Sequence, residues 1–251
     1  MTVLVVRPAP ACFELVTMLQ HAKIPALAAP LLSFAASKEL FKLENTLANL
    51  PSNSIVVAVS PRAVEFAAKA LEHKIWRNDL HFVAVGKKTA QTWRQLTSIN
   101  AIVPTNESSE GLLKLDIFSK PKNRNILILR GNSGRDLLAN ELKELGAKVC
   151  YFETYLRIWD TKGVLNQSKL WQKNKVNKII ITSGEQLGFI WSSADHKTQL
   201  WLIQCQLFVP SQRIYHQAKS LGFKSVINVD YTSNQALVNA LNKTNILDNY
   251  K

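Results

Sequence analysis

The chain has 251 residues, 47% of them hydrophobic, enough to bury the core of one large or two small domains. Lysine and arginine number 31 against 18 acids, a net charge of +13. That balance suits nucleic acid, acidic lipid or a polyanionic small molecule, unless it is a generic property of the host's proteins. No run of about 18 apolar residues is present, which excludes an apolar membrane span.

Taken in order, the pattern is strand, turn, amphipathic helix. Val3 to Arg7 is a continuous apolar strand, and Cys12, Leu15, Val16, Leu19 and Ala22 follow at helical spacing. The opening Met1 to Pro8 has no basic prelude or cleavage site, so an export signal is not expected there. Ile55 to Val59 predicts a strand, then a helix through Val64, Ala67, Ala68 and Leu71. Phe82 to Val85 is a strand, and Lys87 to Leu96 a helix. Next come a strand at Ile126 to Leu129, a helix at Gly134 to Leu145 stopped by Gly146, and a strand at Val149 to Tyr155. Lys178 to Ile181 is a strand before a helix through Leu187 and Ile190. Leu207 to Val209, Gln212 to Leu221, Val226 to Val229 and Asn234 to Leu241 continue the alternation, and the tail from Asn242 is expected to fray.

Such alternation predicts an α/β fold with parallel sheets. It also repeats. Val3 to Pro8 returns at Ile126 to Gly131, and Val57 to Ser60 at Ile180 to Ser183, both 123 residues on. Phe82 to Gly86 returns 124 residues on at Gln206 to Pro210, and the segment ending at Leu113 returns 125 on, ending at Val238. An ordered set with so small a drift predicts two similar α/β modules. Composition alone would divide the chain in the polar segment Ser119 to Asn125.

In open parallel sheets ligands bind beyond the carboxyl ends of strands, where helix N-termini point. Those positions hold Arg7, Ser60 and Arg62, Gly86 and Lys87, Arg130 to Arg135, Thr182 to Gly184, and Ser211. Small residues let backbone N–H groups approach a ligand, and Arg or Lys favours carboxylate or phosphate. The same residue types also cap helices and turn loops. The five histidines show no metal spacing and are expected at the surface or its boundary. No phosphate loop is present, and no cysteine sits in a nucleophile motif. Cys12, Cys150 and Cys205 lie far apart in apolar runs and are expected to be reduced core residues. Tyr151, Phe152 and Tyr155 end a strand, where a tyrosine is commonly a packing group whose hydroxyl can still reach a cleft.

Several segments resemble uroporphyrinogen-III synthase: Val57 to Val64, Val85 to Ala90, Ser108 to Leu112, Ile128 to Leu138, Glu153 to Arg157 and Ile181 to Glu185. Their order and spacing fit over almost the whole chain. The second half is the looser match, with Pro-Ser at Pro210 where the family often has a Gly-rich turn. The resemblance implies a cofactor-free, metal-free, cytoplasmic and monomeric enzyme. It would close hydroxymethylbilane, a linear tetrapyrrole with eight carboxylates, to uroporphyrinogen III, with loss of water and inversion of the last pyrrole. It also implies two flavodoxin-like modules, 1–30 with 158–251 and 37–152, joined by a two-stranded ladder at 31–36 and 153–157. Tyr155 matches the family's tyrosine that assists departure of the hydroxyl. The candidate substrate-binding residues are then Arg7, Ser60, Arg62, Gly86, Lys87, Ser109, Arg130, Gly131, Asn132, Arg135, Thr182, Ser183, Gly184 and Ser211. The rival reading is a non-catalytic two-module protein that binds a small anion. A basic RNA-binding protein is a further rival, which salt-sensitive nucleic-acid affinity would reveal.

Overall fold

The computed structural model of the protein describes residues 1–72, 74, 76–134, 136–230 and 233–248, the last six of these as backbone alone. The chain divides into two compact units, Met1–Ser33 with Ile158–Lys251, and Phe34–Arg157. In chain order the strands are β1 (Thr2–Val6), β2 (Ala26–Ala28), β3 (Leu32–Ala36), β4 (Ile55–Ala58), β5 (His81–Ala84), β6 (Asn125–Gly131), β7 (Lys148–Trp159), β8 (Val176–Ile181), β9 (Gln206–Val209) and β10 (Val226–Asn228). The helices are α1 (Ala11–His21), α2 (Leu43–Ala48), α3 (Pro61–Ala70), α4 (Lys87–Thr97), α5 (Ser109–Leu113), α6 (Leu137–Glu144), α7 (Gly163–Lys173), α8 (Gly184–Ser192), α9 (His196–Leu202), α10 (Gln212–Ser220) and α11 (Asn234–Asp248).

Two five-stranded sheets result, ordered β10-β9-β8-β1-β2 and β3-β7-β6-β4-β5. Within each, the ladders among β1, β2, β8, β9 and β10, and among β4, β5, β6 and β7, are parallel. Under the offset of 123 to 124 residues, β9-β8-β1 falls on β5-β4-β6. Even β10 has a counterpart, because the parallel bridge Val83–Ile102 stands where β10 pairs β9 at Leu207–Val226. The chain passes between the units within β3 and β7. Ser37 N–H donates to Thr154 O at one end of that strand pair, and Asp160 N–H to Leu31 O at the other.

The strands are apolar on both faces because helices cover both. In the first unit Leu4, Val6, Ile179 and Leu207 pack under α7 to α10. Val3, Val5, Ile180 and Phe208 pack under α1 and α11. In the second, Val56, Ala58, Leu127 and Leu129 face α2 to α4, while Ile55, Val57, Ile126 and Ile128 face α5 and α6. Burying each such Val, Leu, Ile or Phe side chain contributes about 1.5–3 kcal/mol. Helix starts follow local chemistry. The Ser60, Ser108 and Ser183 hydroxyls and the Asp195 carboxylate each accept a first-turn N–H, and Pro61 occupies the first turn of α3. Gly146 and Gly222, with φ of +86° and +92°, take the left-handed turn that stops α6 and α10.

Some expectations fail. Cys12 and Cys205 are buried, but Cys150 is exposed, because it sits on the outward side of β7. Helix α6 begins at Leu137 rather than Gly134, since Gly134 has a φ of +148° outside the helix. Strand β7 continues to Trp159, and α11 continues to Asp248 instead of fraying after Leu241. Residues 119–125 form a loop inside the second unit rather than a boundary. His21, His81, His196 and His216 are indeed exposed or half-buried; His73 lies outside the described residues.

Candidate active site

The carboxyl ends of β4, β5 and β6 and the later half of β7 enclose a cavity of about 200 Å³ in the second unit. Its position follows from the parallel sheet, because every strand there ends on the same side. Of the candidates read from sequence, Ser60, Ser109, Arg130, Gly131 and Tyr155 line it together.

Tyr155 is the centre of that group. Its ring is 3% exposed, stacked on Phe66 at 5.8 Å and edge-on to Phe34 at 5.7 Å. The hydroxyl stands 3.3 Å from Ser60 Oγ. Ser60 also accepts the Ala63 N–H as the cap of α3, so the helix start fixes the hydroxyl that meets the phenol. Gly131 lies opposite Tyr155 in the β6–β7 ladder, where the register shifts. A side chain on Gly131 would strike the Tyr155 ring.

Arg130 is 8% exposed and already paired. Its Nη1 donates to Asp136 Oδ1 at 2.7 Å, and its guanidinium lies 4.4 Å over the Tyr151 ring. The Tyr151 hydroxyl donates to the same Asp136 oxygen at 2.9 Å. The bond from Arg130, then that from Tyr151, holds the Asp136 carboxyl below its ordinary range. Burial first, then Asp136, raises the Tyr151 phenol. Tyr151 is therefore more than the packing group expected from sequence, since it lines the cavity and braces its cation.

The other candidates of this unit have local tasks. Asn132 Oδ1 accepts the Arg157 N–H and its own N–H donates to Tyr155 O, stapling the loop to β7. Arg62 pairs with Glu65 at 2.8 Å and lies 4.8 Å over the Phe34 ring. Gly86 opens α4, and the space a side chain would fill there is taken by the Glu107 carboxylate. Lys87 is the first residue of α4, and its side chain is exposed. Arg135 lies outside the described residues.

Arg7, Thr182, Ser183, Gly184 and Ser211 belong to the first unit, at the carboxyl edge of its sheet. Arg7 Nη1 donates to Asn234 Oδ1, and burial lowers its pKa against the pull of Cys12 and Glu14. Thr182 Oγ1 and N–H both donate to Gln186 Oε1, and Ser183 caps α8. Gly184 O accepts from Gln217, and Ser211 precedes α10 without a side-chain cap bond.

Sequence reasoning passed over Asp136 and Glu107, and it left out of the candidate site a residue whose hydroxyl it allowed to reach a cleft, Tyr151. The even spacing of Tyr151 and Tyr155 along a strand was the available signal for the last. Chemically, the cavity offers two phenols (Tyr151 and Tyr155), three serine hydroxyls (Ser60, Ser109 and Ser133) and two guanidinium groups (Arg130, paired with Asp136, and Arg157). These can donate hydrogen bonds and receive an anion. Among the described residues no group of three or more His, Cys, Asp or Glu is placed to hold a metal ion, and no helix is long and apolar enough to cross a membrane.

The family model of uroporphyrinogen-III synthase HemD matches residues 14–239. The uroporphyrinogen-III synthase of Salmonella typhimurium is 34% identical over 245 residues, 96% of this chain and 100% of that one. That of Escherichia coli is 33% identical over 245 residues, with 96% and 100% covered. The synthase of Proteus mirabilis is 38% identical over 162 residues, 63% of this chain and 81% of that one. Among solved structures, a mutant uroporphyrinogen III synthase of Thermus thermophilus has a TM-score of 0.68 at 16% identity, with 94% and 96% covered. The synthetase of Helicobacter pylori has a TM-score of 0.61 at 17% identity, with 97% and 99% covered. Those two structures speak for the fold, which is the two-unit α/β arrangement described above. The family match and the full-length relatives speak for more: this chain belongs to the uroporphyrinogen-III synthase family.

Proposed function

We propose that this chain acts as a uroporphyrinogen-III synthase in haem biosynthesis, closing hydroxymethylbilane to uroporphyrinogen III. In that reaction the terminal C–O bond breaks and the hydroxyl leaves with a proton as water. The electron-rich pyrrole sheds it readily, leaving an azafulvene-like cation. The cation bonds to the already bridged α carbon of the last pyrrole, giving a spiro intermediate. The bond from that carbon to its original methylene then breaks, and the methylene rebonds at the pyrrole's other α carbon with loss of that carbon's proton, which closes the ring with the last pyrrole inverted. The observation that carries this reading is the Tyr155 hydroxyl at 3.3 Å from Ser60 Oγ on the wall of the second unit's cavity. A buried phenol held by a second hydroxyl is a preorganised donor for the departing group.

The remaining work is positional. Holding the bilane folded for the inverted closure converts a flexible search into a prepared geometry. Arg130, Gly131 and Ser109 would bind substrate carboxylates at the second unit's cavity, and Arg7, Thr182, Ser183, Gly184 and Ser211 are the anion-binding candidates at the carboxyl edge of the first unit's sheet. Eight carboxylates on the substrate give the net charge of +13 a purpose. On this reading the enzyme works as a cytoplasmic monomer without a cofactor, its modules being 1–30 with 158–251, and 37–152.

The deciding experiment is incubation of the purified protein with hydroxymethylbilane, followed by separation of the isomers. Isomer III in excess is expected. Isomer I alone, formed at the spontaneous rate, would make the protein a binder.

A further inference from the structure

A second cavity, of about 320 Å³, lies in the same unit at the opposite ends of the same strands. Its lining comes from residues just before each strand: Ser52 to Ser54 before β4, His81 at the start of β5, and Lys122 to Asn125 entering β6. Ser54 and Ser60 flank β4 six positions apart, so the two cavities are separated by roughly 20 Å at about 3.3 Å per strand residue.

The chemistry of this lining is one-sided. Two lysine or arginine cations face it, Lys122 and Arg124, with a histidine, two serines and three asparagine amides, and no acid. The Asp79 carboxylate, a partner of the lining residue Ser52, is already held by Arg77 and Ser52, which keep its pKa at about 2. Neither Lys122 nor Arg124 forms a salt bridge among the described residues. Arg124 Nη1 is shielded from solvent and has no hydrogen-bond partner among them. A buried guanidinium nitrogen without an acceptor is costly, and native proteins rarely tolerate one without a ligand or an ordered water. The loops are also fixed. Asn53 and Asn123 adopt φ of +64° and +63°, and their N–H groups donate to Asp79 O and Gly146 O. The Lys122 stem lies against Gly146, where a side chain would crowd it.

We propose that this cavity is a binding site for a phosphate group, either free orthophosphate or the terminal group of a phosphate ester, with Arg124 and Lys122 as its cations. A tetrahedral dianion wants donors from several directions, and three separate loops converge here. A carboxylate would be served by one arginine fork alone.

The test is a titration of the whole chain with inorganic phosphate at constant ionic strength, followed by amide NMR, with sodium chloride as the control and glycerol phosphate as a second arm. Saturable shifts confined to residues 52–54, 81 and 122–125 are expected, with affinity falling at least 10-fold in Arg124→Gln. Conversion of hydroxymethylbilane should be unchanged in that variant, because the cavity is remote from Tyr155. Tighter binding of glycerol phosphate would identify an ester as the ligand, and equal or weaker binding would identify the free ion. Shifts that grow linearly, spread over many lysines, or persist in Arg124→Gln would overturn the proposal and leave Arg124 Nη1 to a water. Should Arg124→Gln fail to fold, Lys122→Ala, at an exposed position, must weaken binding instead, and unaltered binding there overturns the proposal equally.

Discussion

A methyl group on Gly131 would stand 2.6 Å from Cζ of Tyr155 and 3.1 Å from its hydroxyl oxygen. The two residues face each other across the β6–β7 ladder, so neither backbone can retreat without breaking pairing. Glycine is therefore required here for space. Gly131→Ala should displace the tyrosine ring from Phe66 and Ser60. Overpacking of this kind costs about 1–3 kcal/mol, measurable by denaturant unfolding, and turnover should fall with it. Unchanged stability and unchanged turnover would mean that the ring has room the geometry does not show.

Tyr155→Phe separates chemistry from packing. The ring contacts with Phe34 and Phe66 remain, and only the hydroxyl near Ser60 is lost. Losing a general acid or one preorganised donor lowers turnover by roughly 10- to 1000-fold. The leaving group departs easily, so the low end is expected, with product shifting from isomer III toward isomer I as the spontaneous closure competes. Full rate and pure isomer III would leave Tyr155 as packing and the enzyme acting by conformational control alone.

What the sequence disclosed, and what it hid, follows from local signal strength. Ile55–Ala58 and Ile126–Leu129 were legible because both faces are buried and nearly every residue is apolar. Helix α7 was not, because its inward stripe of Val164, Ser168 and Trp171 contains a serine and starts at a glycine. Helix α9 has seven residues, too few for a period to declare itself. Lys178 was read as a strand residue, yet nothing local announced that its side chain would be 2% exposed. Within the site, Ser60 was visible because serine before proline starts a helix. The pairing of Arg130 with Asp136 was invisible, because the loop between them has no regular spacing from which a contact could be read.

That pairing sets a pH dependence. Asp136 is held below its ordinary range by Arg130 first and Tyr151 second. A carboxyl with a depressed folded pKa contributes stability fully above its unfolded value, roughly 4. The contribution is lost as pH falls through the lower folded value. Asp136→Asn should thus be less stable than the parent at pH 7, with the gap closing as both are acidified below pH 4. Tyr151→Phe removes one of the two donors and should show the same trend with a smaller gap. Parallel stability curves for parent and Asp136→Asn down to pH 2 would refute the role given to the pair.

The cysteines give a test that needs no substrate. Cys12 and Cys205 are buried, and burial raises both thiols, Cys205 to about 12. Few thiolates form at either position near neutral pH, and a reagent cannot reach them in the folded chain. Cys150 lies on the exposed side of β7, two residues after the strand begins. A maleimide added to the native protein at pH 7.5 should therefore modify one cysteine quickly, and peptide mapping should place it at Cys150. The other two should react only on the timescale of unfolding, and addition of denaturant should bring the total to three. Early labelling of Cys12 would mean that α1 opens from β1 more readily than its packing on Val3 and Val5 allows.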